Sequence, residues 1–327
     1  MSDGGTTPAE VARRPLRPLI RSAHRVLDDA GVPSPGHDAR ALARLALART
    51  DGGMLELVDD VSVEFAREFA ALVARRRTRE PLQIIEGVAH FHRVILETAP
   101  GVFIPRPETE SVVEAVLGHA RRSGPGDSGG RRPEGTQGAE PRDRGGDGGA
   151  GPVIVDLCAG TGAIAIAVAA AMPLARVWAV ELDSAAVALA RRNVDANGVR
   201  VVVVEGDAAS ELSELDGTVD VVASNPPYIP PDGVPRDPEV HRWDPPAALY
   251  GGGDDGLDTP RAVVASAARL LKPGGTFVME HADEQGLAVR GLVASHGAFT
   301  MIETHQDLAG RDRFVVARRA TAHDGRE

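Results

Sequence analysis

The residues best suited to chemistry are Asn225-Pro226-Pro227-Tyr228, which continue the apolar run Val221-Val222-Ala223-Ser224 without a break. Proline has no N–H for a sheet, so the pair ends the strand and stiffens the chain beyond it. The Asn225 side-chain oxygen and the Pro226 carbonyl then form two fixed acceptors, matched to the two N–H groups of a planar NH₂. Such a nitrogen is a poor nucleophile because its lone pair is delocalised. Acceptors already in place where positive charge develops speed its attack. Tyr228 offers a flat wall for a planar group. Asn225, Pro226 and Tyr228 are the candidate catalytic residues, with Pro227 helping to fix the backbone.

A second group of residues lies upstream. Val153-Ile154-Val155-Asp156-Leu157-Cys158-Ala159-Gly160-Thr161-Gly162 has the form of a strand entering a glycine turn, with an Ala-rich helix after it. Gly160 and Gly162 let backbone approach a ligand at a helix N-terminus. The spacing Gly160-x-Gly162-x-x-Ala165 also meets a relaxed dinucleotide fingerprint. Glu181, 19 residues after Gly162, ends the next strand, where a carboxylate accepts ribose hydroxyls. Asp207, after the third strand, suits an adenine amino group. Asp156 lies where the amine of a sulfonium amino acid would sit. The loop has no Arg or Lys for a pyrophosphate, although backbone amides alone can hold one. Three acids around one pocket favour a cationic adenosyl ligand over a dianionic dinucleotide, and S-adenosylmethionine carries that charge. Asn225 then faces the ligand's methyl group, and alignment for in-line displacement supplies much of the remaining acceleration. The transferred-to nitrogen loses its proton readily, so no metal or strong base is required.

These groups need a scaffold. From Pro152 on, strands fit 152–157, 176–181, 200–205, 218–224, 275–280, 298–304 and 312–318, and helices fit 162–172, 184–196, 257–271 and 283–296. The alternation predicts an α/β fold: a Rossmann-like, seven-stranded, mostly parallel sheet whose last two strands form an antiparallel hairpin at one edge. Ligands bind outside the carboxyl ends of such strands. Ahead of it, Leu16, Leu19, Ile20, Ala23, Val26 and Leu27 recur at helical spacing, and further helices fit 38–49 and a segment carrying Phe65, Phe69, Leu72 and Val73. Residues 82–104 change period and read as a β-hairpin around Gly87. The expected organisation is a disordered N-terminus at 1–15, a helical substrate-recognition domain at 16–80, a hairpin linker at 81–104, the catalytic domain at 105–319 and a disordered tail at 320–327. Within the catalytic domain, 123–151 is Gly-rich, lacks apolar periodicity, and reads as a disordered insert.

Bulk properties narrow the class. The chain has 327 residues, 43% hydrophobic and 3% aromatic, enough for two domains with a core of Ala, Val and Leu. The net charge of −11 argues against nucleic acid as a general partner. The single cysteine, Cys158, gives no disulfide framework or zinc motif. No signal peptide or apolar run long enough to span a bilayer is visible, so a soluble, cytoplasmic chain without metal or membrane partner is expected. Arg75, Arg76, Arg77 and Arg79 read as a solvated helix end. His90 and His92 read as surface residues on one face of a strand, and His281 as a strand cap. The long loop 230–256 has the length of a lid or binding loop, with Trp243 and Tyr250 available to lock it or touch a partner.

Asn-Pro-Pro-Tyr together with Pro105-Arg106-Pro107-Glu108-Thr109-Glu110, "EPLQIIEG" (80–87), "ALYGGGDDGLDTPR" (248–261) and "LAGRDRFVVARR" (308–319) resembles the release-factor glutamine N5-methyltransferases, the HemK-like family. The resemblance spans 16–120 and 152–319. It implies a class I S-adenosylmethionine-dependent methyltransferase, with S-adenosylhomocysteine as product. The implied substrate is the glutamine of the Gly-Gly-Gln loop in class 1 peptide chain release factors. Carried over by motif position, the cofactor contacts are Cys158, Ala159, Gly160, Thr161, Gly162, Glu181, Asp207, Ala208 and Asn225, and the substrate contacts are Asn225, Pro226, Pro227 and Tyr228, with Phe103 packing against the glutamine. Three positions depart from the family pattern: Cys158-Ala159 for Gly-Thr, Ala208 for a large aromatic, and Glu280-His281 where a small residue and Gly usually follow the Glu. The competing readings are a methyltransferase of a planar nitrogen on an rRNA or DNA base, a non-catalytic adenosyl-ligand binder and, more remotely, a reductase.

Overall fold

The structure is a computed structural model, and it describes residues 13–123, 151–235 and 237–322. Residues 1–12, 124–150 and 323–327, where most of the expected disordered ends and the Gly-rich insert fall, lie outside the described residues. The chain divides into two units: one takes the residues up to Gly87 together with Asp237–Trp243, the other the rest from Val88.

The first unit opens with a short strand, β1 (Arg13–Pro15), then α1 (Leu16–Asp29), α2 (Pro35–Arg49), β2 (Asp60–Ser62), α3 (Val63–Arg77) and α4 (Leu82–Glu86). Apolar residues at helical spacing turn inward: Leu27, Leu42, Leu47, Phe65, Phe69 and Leu72 form the core, with Phe65 and Phe69 stacked at 5.6 Å. The Ser62 hydroxyl accepts the Phe65 N–H at 3.0 Å and so caps α3. Residues 82–86 are helical, not the start of the expected hairpin. Ile84 and Ile85 favour a strand by propensity, but Pro81 opens the turn and Gly87, at φ 79°, closes it in the left-handed conformation. Burial of Leu82, Ile84 and Ile85 outweighs propensity.

In the second unit β3 (Val88–Phe91) and β4 (Val94–Glu97) make the hairpin, followed by α5 (Glu110–Ser123). His92 sits in the hairpin turn at φ 52°. It therefore does not share a strand face with exposed His90, and its Nε2 lies 2.7 Å from the Glu114 carboxylate. Then come β5 (Val153–Leu157), α6 (Ala163–Ala171), β6 (Arg176–Glu181), α7 (Ser184–Asn197), β7 (Val201–Glu205) and β8 (Val219–Ser224). The chain passes through α8 (Pro238–Trp243), which belongs to the first unit, and returns to α9 (Asp258–Leu270), β9 (Leu271–Glu280), α10 (Gly286–Ser295), β10 (Phe299–Gln306) and β11 (Asp312–Arg319). Among the described residues seven strands form one sheet in the order β10-β11-β9-β8-β5-β6-β7. β11 runs antiparallel to both of its neighbours, and the central pairs are parallel. This is the expected α/β fold, with the last two strands as an edge hairpin. β5 is buried on both faces: Ile154 packs with α5 and α6, Val153 and Val155 with α9 and α10.

Of the arginine run at the end of α3, Arg75 and Arg77 are exposed as expected, but Arg76 and Arg79 are not part of a solvated face. Arg76 is 3% exposed; its guanidinium reaches Asp38 at 2.7 Å, the Glu80 carbonyl at 2.9 Å and Glu239 of α8 at 2.8 Å. Arg79 shares Glu239 at 2.8 Å, and Arg75 pairs with Glu80. The short helix α8 is thus held in the first unit by buried ion pairs.

Candidate active site

Parallel register sets the site. Leu157 pairs with both Val180 and Ser224, and Ser224 pairs with Met279. The residues one step beyond these pairs, Glu181, Cys158, Asn225 and Glu280, therefore stand in a row along the carboxyl edge of the sheet. The Ser224 hydroxyl donates to the Leu157 carbonyl at 2.7 Å and ties the two central strand ends together.

The glycine turn is closed by acids. Glu181 accepts the Gly160 N–H at 2.7 Å and the Asp183 N–H at 2.9 Å. Asp156 accepts the Ala165 N–H at 3.1 Å, and the Gly162 N–H goes to the Ala159 carbonyl at 2.8 Å. Loop amides that would cradle a phosphate are in part already committed to carboxylates, which counts against a pyrophosphate ligand. Gly160 (φ 56°) has open space where a Cβ would stand; Gly162 (φ 82°) approaches Ile166 closely. Cys158 takes φ 60°, a strained conformation for a residue with a Cβ. Its thiol is pushed up to about 12, mainly by burial, so it is not a nucleophile. Ala159 and Thr161 are buried, and Asn193 of α7 clamps the turn by donating to the Thr161 carbonyl at 3.1 Å while accepting the Glu97 N–H at 2.6 Å.

Asp156 is 1% exposed, and its Oδ1 has no hydrogen-bond partner among the described residues. Burial, and secondarily the Glu181 charge, push its carboxyl up to about 8. An orphaned buried oxygen of this kind would be satisfied by a cationic donor, and the ammonium of S-adenosylmethionine fits that demand. Exposed Asp207 accepts the Ala209 N–H at 2.8 Å through one oxygen. Ala208 is half-buried against the apolar layer beneath it.

Asn225 and Tyr228 are half-buried and Pro226 buried. The chain from Leu249 to Gly251 runs beside them: the Leu249 carbonyl accepts the Tyr228 N–H at 3.1 Å, and Ile229 bridges Tyr250. Tyr250 thus locks the base of the long loop. The Tyr228 carbonyl accepts from Gln285 at 2.8 Å, and its hydroxyl donates to Glu280 at 3.4 Å. Asn225 Nδ2 donates to Thr109 Oγ1 at 3.4 Å. Half-buried Phe103 is set by other contacts: the Arg106 guanidinium lies 5.3 Å from its ring centre, and Arg106 pairs with buried Asp244. His281 does extend the ladder at the strand end, donating its N–H to the Arg313 carbonyl at 2.9 Å. Sequence alone does not single out Thr109, Asp244, Glu280 or Arg313 as chemical groups. Only the motif context of Thr109, Glu280 and Arg313 points their way.

The sheet order, the glycine turn and the acids on successive strand ends define an S-adenosylmethionine-dependent methyltransferase, and the Methyltransferase small domain family matches residues 149–234. The PrmC N-terminal domain family matches residues 18–87. The chain is 43% identical to the release factor glutamine methyltransferase of Mycolicibacterium smegmatis, over 93% of this chain and 98% of that one. It is 42% identical to the protein of the same name from Streptomyces coelicolor, over 92% and 97%. A 4-amino-L-phenylalanine/4-methylamino-L-phenylalanine methyltransferase of Streptomyces pristinaespiralis is 40% identical over 70% of each chain. The chain belongs to the release factor glutamine methyltransferase family.

Proposed function

We propose that this enzyme transfers a methyl group from S-adenosylmethionine to the N5 side-chain nitrogen of the glutamine in the Gly-Gly-Gln motif of class 1 peptide chain release factors. The observation that carries this reading is the placement of Asn225-Pro226-Pro227-Tyr228 beside the acid-lined glycine turn, at the ends of adjacent strands.

S-Adenosylmethionine, when bound, supplies an electrophilic methyl on a cationic sulfur. Asp156 faces its amino-acid end, Glu181 accepts the ribose hydroxyls and Asp207 the adenine amino group, around the turn from Cys158 to Gly162. The substrate amide N–H groups go to the Asn225 side-chain oxygen and the Pro226 carbonyl. Both acceptors gain strength as positive charge grows on nitrogen, and the proline pair spares them any reorganisation. Tyr228, Pro227 and Phe103 wall the planar amide. The Tyr228 phenol is raised above its ordinary value, chiefly by burial, so it stays neutral and serves as a surface and a donor.

The aryl-amine substrate in the name of the Streptomyces pristinaespiralis relative also presents a planar nitrogen, which supports the reading of the acceptor pair. A base of rRNA or DNA is the other planar-nitrogen substrate; the −11 charge weighs against it. The reading places the enzyme in the cytoplasm, in translation termination, with S-adenosylhomocysteine released as product. No helix of the described residues is long and apolar enough to cross a membrane. Incubation with methyl-labelled S-adenosylmethionine, release factor protein and ribosomal RNA tests it: label enters the protein. Label in the RNA alone would establish the other substrate class.

A further inference from the structure

A chain of polar side chains runs behind the acceptor pair. Asn225 Nδ2 donates to Thr109 Oγ1 at 3.4 Å, and the Tyr228 hydroxyl donates to Glu280 Oε1 at 3.4 Å. The Thr109 hydroxyl also lies against the Glu280 carboxyl. Thr109 is 4% and Glu280 2% exposed. Glu280 Oε2 has no hydrogen-bond partner among the described residues. The charged and titratable groups facing Glu280 are Arg313 on β11, which is itself bonded to Asp307 at 3.1 Å, Glu108 beside Thr109, and Tyr228. Burial outweighs the Arg313 charge and holds the carboxyl up at about 7.

Such a chain has a direction. A carboxylate only accepts, so it draws the hydroxyl protons of Tyr228 and Thr109 toward itself. The Thr109 oxygen then offers lone pairs to Asn225, which must meet them with its NH₂. The Asn225 oxygen is thereby turned away from Thr109. A protonated Glu280 brings a donor of its own. Thr109 is then free to turn its proton toward Asn225, and the amide that flips to accept it presents NH₂ in place of oxygen on its other side.

We propose that Glu280, acting through Thr109, sets which face of the Asn225 amide meets the substrate, its carboxylate form keeping the acceptor oxygen there. Both are positioning residues. The inference rests on the reading of Asn225 as an acceptor for the substrate nitrogen.

The test uses the full chain with release factor protein at saturating S-adenosylmethionine, so that titration of Asp156 does not enter through cofactor affinity. Thr109→Val keeps shape and removes the hydroxyl; Thr109→Ser keeps the hydroxyl. Thr109→Val should lower kcat about tenfold, the scale of one hydrogen bond, without weakening cofactor binding, and Thr109→Ser should restore most of it. Wild-type kcat should climb as pH rises through about 7, and Glu280→Gln should lose that rise. Equal losses in the two Thr109 variants, or a pH rise that persists in Glu280→Gln, overturn the proposal. If Glu280→Gln fails to fold, the Thr109 pair decides alone. Wild-type kcat in Thr109→Val beside a failing Asn225→Ala overturns this inference only; wild-type kcat in Asn225→Ala overturns the reading beneath it.

Discussion

Glu181, at the end of β6, accepts the backbone N–H of Gly160 at 2.7 Å, so the acid proposed to hold the ribose also closes the glycine turn. One carboxylate does both jobs because parallel register sets the end of β6 beside the end of β5. On the proposed reading, cofactor affinity and turn geometry are coupled through this contact.

Glu181→Ala should therefore weaken S-adenosylmethionine binding by about 1–3 kcal/mol, the range for a hydrogen bond to a charged group. Glu181→Gln, which keeps an acceptor oxygen without the charge, should fall between. Titration calorimetry reads both; an Ala variant that binds like wild type would move the ribose contact elsewhere.

Asp156 should link binding to pH. Its carboxyl rises from an ordinary 3.8 to about 8 on folding. Between those values the folded chain holds a proton that the unfolded chain has released, so stability falls as pH rises through that window. Asp156→Asn should raise the melting temperature of the ligand-free enzyme at pH about 8 while weakening cofactor binding. In the wild type a bound cation favours the carboxylate, so binding should release a proton and tighten as pH climbs toward about 8. Calorimetry in two buffers of different ionisation enthalpy measures that release. No release, with full affinity in the Asn variant, would remove Asp156 from the cofactor site.

Gly251 has no room for a side chain. A Cβ there would lie 1.9 Å from the Gly256 carbonyl oxygen and 2.6 Å from that of Pro227. Gly251→Ala should shift the backbone that carries Tyr228 and lower turnover by tenfold or more, about 1.4 kcal/mol in barrier. Gly291→Ala in α10, which meets nothing within 4 Å, should be neutral in activity and slightly stabilising. Equal activity in the two variants would show that the loop tolerates the shift.

The sheet and the row of strand ends were legible in the sequence because the central strands β5, β6, β7 and β8 are apolar runs that meet a Gly, a Pro or an acid at or within three residues of their ends. The glycine turn, Glu181 and Asn225 are all marked by that grammar. Residues joined only by tertiary contact were not legible. The helix at 82–86 is set by burial and flanking turns against the propensity of Ile84 and Ile85. Arg76 reads as one of a charged run until Asp38, 38 positions away, is found beside it. Thr109 and Asn225 stand 116 positions apart, and no local pattern announces their meeting.

Arg76→Met should destabilise the first unit by about 3–5 kcal/mol, because it takes the guanidinium from the buried Asp38 carboxylate and leaves Glu239 to Arg79 alone. Asp38→Asn in the same chain should recover part of the loss. Urea unfolding reads both; a single variant within about 1 kcal/mol of wild type would show that water reaches these carboxylates.

The most direct measurement is the position of the methyl group. Release factor incubated with enzyme and S-adenosylmethionine, digested and sequenced by tandem mass spectrometry, should carry one added methyl on the side-chain nitrogen of the Gly-Gly-Gln glutamine. A release factor with that glutamine replaced by alanine should take up none. Methyl on another residue, or uptake undiminished by the replacement, would contradict the proposed substrate and the role given to Asn225-Pro226-Pro227-Tyr228 in holding it.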